Sequence, residues 1–186
     1  RIMPALSLRH PARLIPLSGL LALAAPAASG DLDLTFGTGG KVITLVGGGG
    51  SASAVAIQPD GKIVAVGRSG GGDFGLVRYD AAGALDATFG VGGLVTTDIG
   101  AFDEAFAVAL QADGKIVAAG TSAPAGFCCQ FALARYHSNG SLDTSFGSGG
   151  VVTTIFGGST QAFAVAIQAD GKIVAAGIAS NANMLV

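Results

Sequence analysis

Ala54-Val55-Ala56-Ile57-Gln58-Pro59-Asp60-Gly61-Lys62-Ile63-Val64-Ala65-Val66-Gly67 is the stretch that decides the fold, because it returns twice almost unchanged. Residues 107–120 read Ala-Val-Ala-Leu-Gln-Ala-Asp-Gly-Lys-Ile-Val-Ala-Ala-Gly, and residues 164–177 differ from them only in having Ile for Leu. Each copy is two β-rich runs joined at Asp-Gly, the pair that most readily takes positive φ at both centres of a type I′ hairpin turn. The expected structural turns are Asp60-Gly61, Asp113-Gly114 and Asp170-Gly171. A repeat of this length whose centre is a hairpin predicts a propeller-like array, since helical periodicity is missing.

The flanks of the hairpin repeat as well. Leu32-Asp33-Leu34-Thr35-Phe36-Gly37 returns as Leu85-Asp86-Ala87-Thr88-Phe89-Gly90 and as Leu142-Asp143-Thr144-Ser145-Phe146-Gly147, at spacings of 53 and 57 residues. A short strand is expected after each of these Gly-rich corners, at Val42 to Leu45, Val95 to Asp98 and Val152 to Ile155. A fourth strand follows the hairpin at Phe74 to Tyr79 and at Phe131 to Tyr136. Four strands per repeat is the count of a propeller blade. The repeats are read as 30–82, 83–139 and 140–186, the last one truncated. In the second strand of the middle repeat, Phe106, Val108 and Leu110 alternate with Ala105, Ala107 and Ala109, so both faces are apolar and a sheet is expected on each side. The fold class is therefore all-β, with about three four-stranded antiparallel blades. Because propellers close with 4 to 8 blades, the chain is expected to be an open N-terminal fragment of a longer array. Its uncovered end faces, exemplified by Phe163, Val165 and Ile167, are expected to drive self-association.

Taken together, Leu-Asp-x-(Thr/Ser)-Phe-Gly-x-Gly-Gly, then Ala-Val-Ala-(Ile/Leu)-Gln-x-Asp-Gly-Lys-Ile-Val-Ala-x-Gly, then Phe-x-Leu-x-Arg-Tyr resembles the delta-sixty repeat family of bacterial secreted proteins. The resemblance covers residues 30–186 and implies a β-propeller in an exported bacterial protein. It brings no catalytic residues that could be carried over.

Composition agrees with strands and tight turns: Gly is 31 of 186 residues, Trp is absent and only 12% of residues are charged. The first thirty residues differ from the rest. Arg9 and Arg13 precede an apolar run from Leu14 to Ala24, and Ala25-Pro26-Ala27 offers small residues at a cleavage site, which together read as a secretory signal peptide over 1–27. Met3 is the expected initiator. The apolar run is shorter than the roughly 20 residues a spanning helix needs, so no membrane span is expected. From Gly30 onward seven basic residues face twelve acidic ones, a net of −5, which disfavours nucleic acid as a partner.

Little in this sequence suggests catalysis. The corner Phe36-Gly37-Thr38-Gly39-Gly40-Lys41 resembles a phosphate loop, but no helix follows to supply the anion site. Asp33, Asp86 and Asp143 could hold calcium, yet each stands nearly alone, which favours an Asx-turn at a strand corner. Arg78 and Arg135 occupy one station of the fourth strand and are expected to pair with a blade Asp. Cys128 and Cys129 are adjacent, a poor geometry for a mutual disulfide and the wrong spacing for zinc. His137 reads as a solvated turn residue. No catalytic residue, metal ligand or cofactor is assigned. The loop bearing Phe127, Cys128 and Cys129 is the expected contact with a partner, an unidentified protein or surface polymer. The expected function is a non-enzymatic exported scaffold, extracellular, cell-surface or periplasmic. The alternative is part of a secreted propeller enzyme, a hydrolase, lyase or quinone-dependent dehydrogenase, whose active site lies in further blades.

Overall fold

In a computed structural model the chain is described over residues 30–124 and 129–180, with the backbone of Asn183–Leu185. The signal peptide expected over 1–27 lies outside the described residues. The hairpin forms as its composition demands, but its turn is of another kind. Between β1 (Gly50–Ile57) and β2 (Ile63–Ser69), the Gly61 N–H donates to the Gln58 carbonyl at 2.9 Å and the Gln58 N–H to the Lys62 carbonyl at 2.8 Å. Pro59 and Asp60 thus occupy the turn centres, and Gly61 follows them with φ of +83°. A type I′ turn centred on Asp60-Gly61 would instead close the Lys62 N–H onto the Pro59 carbonyl, so the expected turn type is corrected; Pro59 suits the first centre of the observed turn, and Ala112 and Ala169 take the same place in the other copies. The turn is the longer kind, in which a single left-handed glycine closes the loop. Gln111 to Lys115 and Gln168 to Lys172 repeat these bonds, with Gly114 and Gly171 at +83° and +84°.

β3 (Phe74–Tyr79) and β4 (Leu94–Thr97) complete the first antiparallel sheet, in the order β1-β2-β3-β4. A second sheet of the same plan contains β5 (Phe102–Leu110), β6 (Ile116–Ala123), β7 (Gln130–Tyr136) and β8 (Val151–Thr154). β9 (Thr160–Ile167), β10 (Ile173–Ala179) and β11 (Asn183–Leu185) form a three-stranded third sheet. Among the described residues there is no helix, and hence none long and apolar enough to cross a membrane. The outermost strand of each four-stranded sheet comes from the following sequence repeat: β4 pairs with β3, and β8 with β7. Sheets and sequence repeats are therefore offset by one strand. This offset corrects the strand expected at Val42 to Leu45, which joins no ladder: its counterparts pair with a strand that precedes them, and no strand precedes Val42 among the described residues.

The sheets stack face to face. Val64, Val66, Phe74 and Leu76 of the first sheet pack with Ala105, Ala118, Ala132 and Ala134 of the second, so bulky side chains meet an alanine surface. Phe74, Leu76 and Phe89 are wholly buried, and each such side chain stabilises the stack by about 1.5–3 kcal/mol. A smaller cluster of Ala119, Phe131 and Ala162 joins the second sheet to the third. β6, in the middle sheet, is buried along nearly its whole length because it is covered on both faces.

One irregularity recurs in each sheet and changes which residues share a face. The register slips between Ala52 and Ala54, between Ala105 and Ala107, and opposite the Ala176–Gly177 step, each slip being a β-bulge. Phe106 is the extra residue of the second bulge, so it does not lie with Val108 and Leu110 as strict alternation predicts. Those two pack with Ala105 against the first sheet, while the Phe106 ring meets Phe163, the extra residue of the third bulge, at 5.4 Å. Val165, expected on an uncovered face, packs instead against the second sheet. The uncovered counterparts of Val108 and Leu110 are Val55 and Ile57, which are 63% and 70% exposed.

Candidate functional site

The repeated charged residues converge on one cluster in each of the two four-stranded sheets. Asp60 accepts the Lys62 N–H on Oδ1 at 3.1 Å, which sets the lysine at the exit of the turn. Lys62 Nζ then lies 3.1 Å from Oδ2 of Asp86, the corner aspartate of the next repeat. Arg78 Nε meets the same oxygen at 2.9 Å, and Arg78 Nη2 donates to the Thr88 hydroxyl at 3.1 Å. Oδ1 of Asp86 accepts the Thr88 N–H and hydroxyl at 3.0 and 2.6 Å, closing an Asx-turn. The guanidinium rests 4.6 Å from the Phe89 ring centre and also donates to the Ser138 carbonyl of the neighbouring sheet's corner. The second sheet repeats the arrangement with Lys115, Arg135, Asp143, Ser145 and Phe146. Asp33 forms the same Asx-turn with Thr35. The corner aspartates are thus engaged by hydroxyls, backbone and cations.

These contacts hold the aspartates in their charged form. Hydrogen bonds from the Thr88 hydroxyl and N–H, with Lys62 and Arg78 adding, keep the Asp86 carboxyl far below the usual aspartate range. The Ser145 hydroxyl lowers the Asp143 carboxyl pKa from its ordinary value as well. At the adjacent strand position, tyrosine reaches the opposite way. Tyr136 is fully buried and shares a 2.8 Å hydrogen bond with the Thr97 hydroxyl of the first sheet, and Tyr79 donates to Thr44 at the same distance. Alternate side chains leave opposite faces of a strand, so Arg78 reaches from the first sheet toward the second while Tyr136 reaches from the second back to the first. Burial pushes the Tyr136 phenol above its ordinary value, with the Asp103 charge adding to the effect.

Of the expected partner-contact residues, Phe127 and Cys128 lie outside the described residues. Cys129 is half-buried directly before β7, and its carbonyl accepts the Thr160 N–H at 2.7 Å. His137 is half-exposed in the turn after β7, with Nε2 3.9 Å from Asp143 Oδ1. Arg68 lies over the Phe102 ring at 5.3 Å. Asp113 and Asp170 sit at hairpin tips, each in contact with its own turn lysine, as Asp60 does. Among the described residues, one group of carboxylates is close enough to share a cation: Asp73, Asp98 and Asp103, whose nearest oxygens lie within 4.8 Å of one another. Sequence reading passed over this group because Asp73 is distant from the Asp98/Asp103 pair along the chain and all three are absent from the repeat consensus. A readable signal was present, since Asp98 and Asp103 stand where the third repeat has Ile155 and Thr160.

The fold is that of a β-propeller repeat array, and the family comparison agrees. Residues 58–89, 111–146 and 168–184 match the family model described as Domain of unknown function (DUF5122) beta-propeller. The matched segments run from the hairpin turn through the strands that follow it. No curated protein matches the chain.

Proposed function

We propose that this β-propeller repeat chain is a non-enzymatic, exported scaffold of the delta-sixty kind, which binds a protein or surface polymer through its variable loops. The observation that carries the reading is the use of the repeated charged groups. Asp86, Asp143, Arg78 and Arg135 join strands, turns and sheets to one another, and their hydrogen bonds point into the frame. Catalysis needs unlike polar groups converging on a reacting atom. Here the convergent groups are the same in both four-stranded sheets, and they neutralise one another. The variable positions lie in the β2–β3 and β6–β7 loops, which connect adjacent strands at one end of the sheets. The basic, apolar and small-residue order of 1–27 supports export.

The test is to replace Phe127, Cys128 and Cys129 together with Ser in the whole protein and assay attachment to the surface of the producing cells. Reduced attachment with an unchanged melting temperature supports the binding role of that loop. Unchanged attachment removes it. A hydrolase or lyase activity lost on substituting His137 would overturn the non-enzyme reading.

A further inference from the structure

We propose that Asp73, Asp98 and Asp103 form a calcium site that fastens the first sheet to the second. Asp73 lies in the loop between β2 and β3, Asp98 directly follows β4, and Asp103 is the second residue of β5. Oxygens from all three carboxylates fall within 4.8 Å of one another. Among the described residues, no Lys, Arg or His forms an ion pair with any of them. Three like charges at such separation repel, and a cation at their centre reverses the sign of that interaction.

Two buried oxygens, one on Asp103 and one on Ser122 outside the cluster, also point to a ligand. Asp103 is completely buried, and its Oδ2 is held by the N–H groups of Ile99 and Gly100 at 2.7 and 3.0 Å. Its Oδ1 has no hydrogen-bond partner among the described residues. Ser122 is also completely buried and its Oγ is likewise unpartnered. Ser122 is the register partner of Asp103, so the two side chains leave the sheet on the same face. A Cβ built on Gly100 would stand 2.8 Å from that Oγ, which places the hydroxyl beside the same backbone turn that holds Asp103. An unpaired buried carboxylate oxygen is costly, and a bound cation removes the cost.

The next junction shows what the repeat does without these groups. There Gln130, Ile155, Thr160 and Ala179 stand in place of Asp73, Asp98, Asp103 and Ser122. The backbone bond across the junction is kept, Thr160 N–H to Cys129 carbonyl at 2.7 Å matching Asp103 N–H to Gly72 carbonyl at 2.6 Å. Thr160 Oγ1 accepts the Phe131 N–H at 3.1 Å, so that junction is closed by neutral hydrogen bonds. The first junction replaces them with three carboxylates and a hydroxyl. Calcium suits this set, because it takes 6–8 oxygens at about 2.3–2.6 Å, a shell about 4.6–5.2 Å across, in flexible geometry. Magnesium requires a smaller, near-octahedral shell. Calcium held here would join a loop and a strand end of one sheet to the first strand of the next.

The experiment is calorimetric titration of calcium chloride into the chelator-stripped whole chain, with magnesium chloride as a second titrant and thermal melting as a second readout. The variants are Asp98→Asn, whose site is exposed and harmless to folding, and Asp170→Asn as a distant acidic control. The expected result is one calcium bound per chain, a melting temperature raised by calcium, at least about tenfold weaker binding in Asp98→Asn and unchanged binding in Asp170→Asn. No calcium binding at millimolar concentration, equal binding by Asp98→Asn, or binding of magnesium in preference to calcium would each overturn the proposal.

Discussion

The carbonyl oxygen of Glu104 stands 1.9 Å from the point that a Cβ on Gly120 would occupy. The same relation recurs between Ser51 and Gly67 at 1.9 Å and between Gln161 and Gly177 at 1.8 Å. In each sheet the β-bulge of the first strand pushes a carbonyl onto the second strand, and the glycine that ends the repeated hairpin motif makes room for it. None of these three glycines has a positive φ, so close approach and not backbone conformation requires them.

Gly120→Ala is accordingly expected to destabilise the protein by about 1–3 kcal/mol or more, the range of an overpacked core. The clash is with backbone on the adjacent strand, which no rotamer change relieves. Gly92→Ala is the comparison, since nothing lies within 4 Å of a Cβ there and only its φ of +62° opposes the change. Urea unfolding of the two variants measures the difference, and equal stability would remove the packing explanation.

Asp86→Asn is expected to lower stability at neutral pH, by an amount that narrows in acid. The folded-state pKa of Asp86 is depressed from the ordinary value of 3.8. Its contribution is therefore complete above that value and is lost as the pH falls through it toward the folded pKa. Urea midpoints of the parent and variant at about pH 7 and about pH 2.5 test the sign. A gap that stays constant or widens in acid would show that the charged carboxylate is not what stabilises the corner.

Tyr136→Phe should cost about 1–3 kcal/mol, because it leaves the buried Thr97 hydroxyl without its partner. Adding Thr97→Val removes the orphaned hydroxyl, and the double variant is expected to recover part of the loss. A double-mutant cycle with no coupling energy would place the tyrosine's role in packing alone.

The chain is expected to self-associate head to tail. Val55 and Ile57 are exposed on the first sheet at the stations where Val108 and Leu110 meet a neighbour, and Ile178 is 46% exposed on the third. Two different surfaces that fit each other make an open, concentration-dependent series of oligomers. Sedimentation velocity over a range of micromolar concentrations distinguishes this from a monomer. Ile57→Lys should shift the distribution toward monomer with little loss of stability, since the side chain is already exposed.

What the sequence determined by itself was local: three hairpins with Gly61, Gly114 and Gly171 at their tips, the strands that flank them, and the Asx-turns at Asp33, Asp86 and Asp143. These follow from residues within a few positions of one another, whose turn chemistry and alternation act before any distant partner is chosen. Even here the turn is centred one residue earlier than the simplest reading of Asp-Gly, and it is the same whether Pro59, Ala112 or Ala169 stands at its first centre. The tertiary structure decided sheet membership, because β4 and β8 are completed by pairing with the repeat before them, and a strand's hydrogen bonds do not record which neighbour they seek. It also decided which side chains share a face, since a one-residue bulge at Phe106 sets it apart from Val108 and Leu110. The acidic cluster belongs to the same class. Asp73, Asp98 and Asp103 come from three segments that only the stacking of two sheets brings within 4.8 Å, and apolar packing, not any local preference of the aspartates, holds them there.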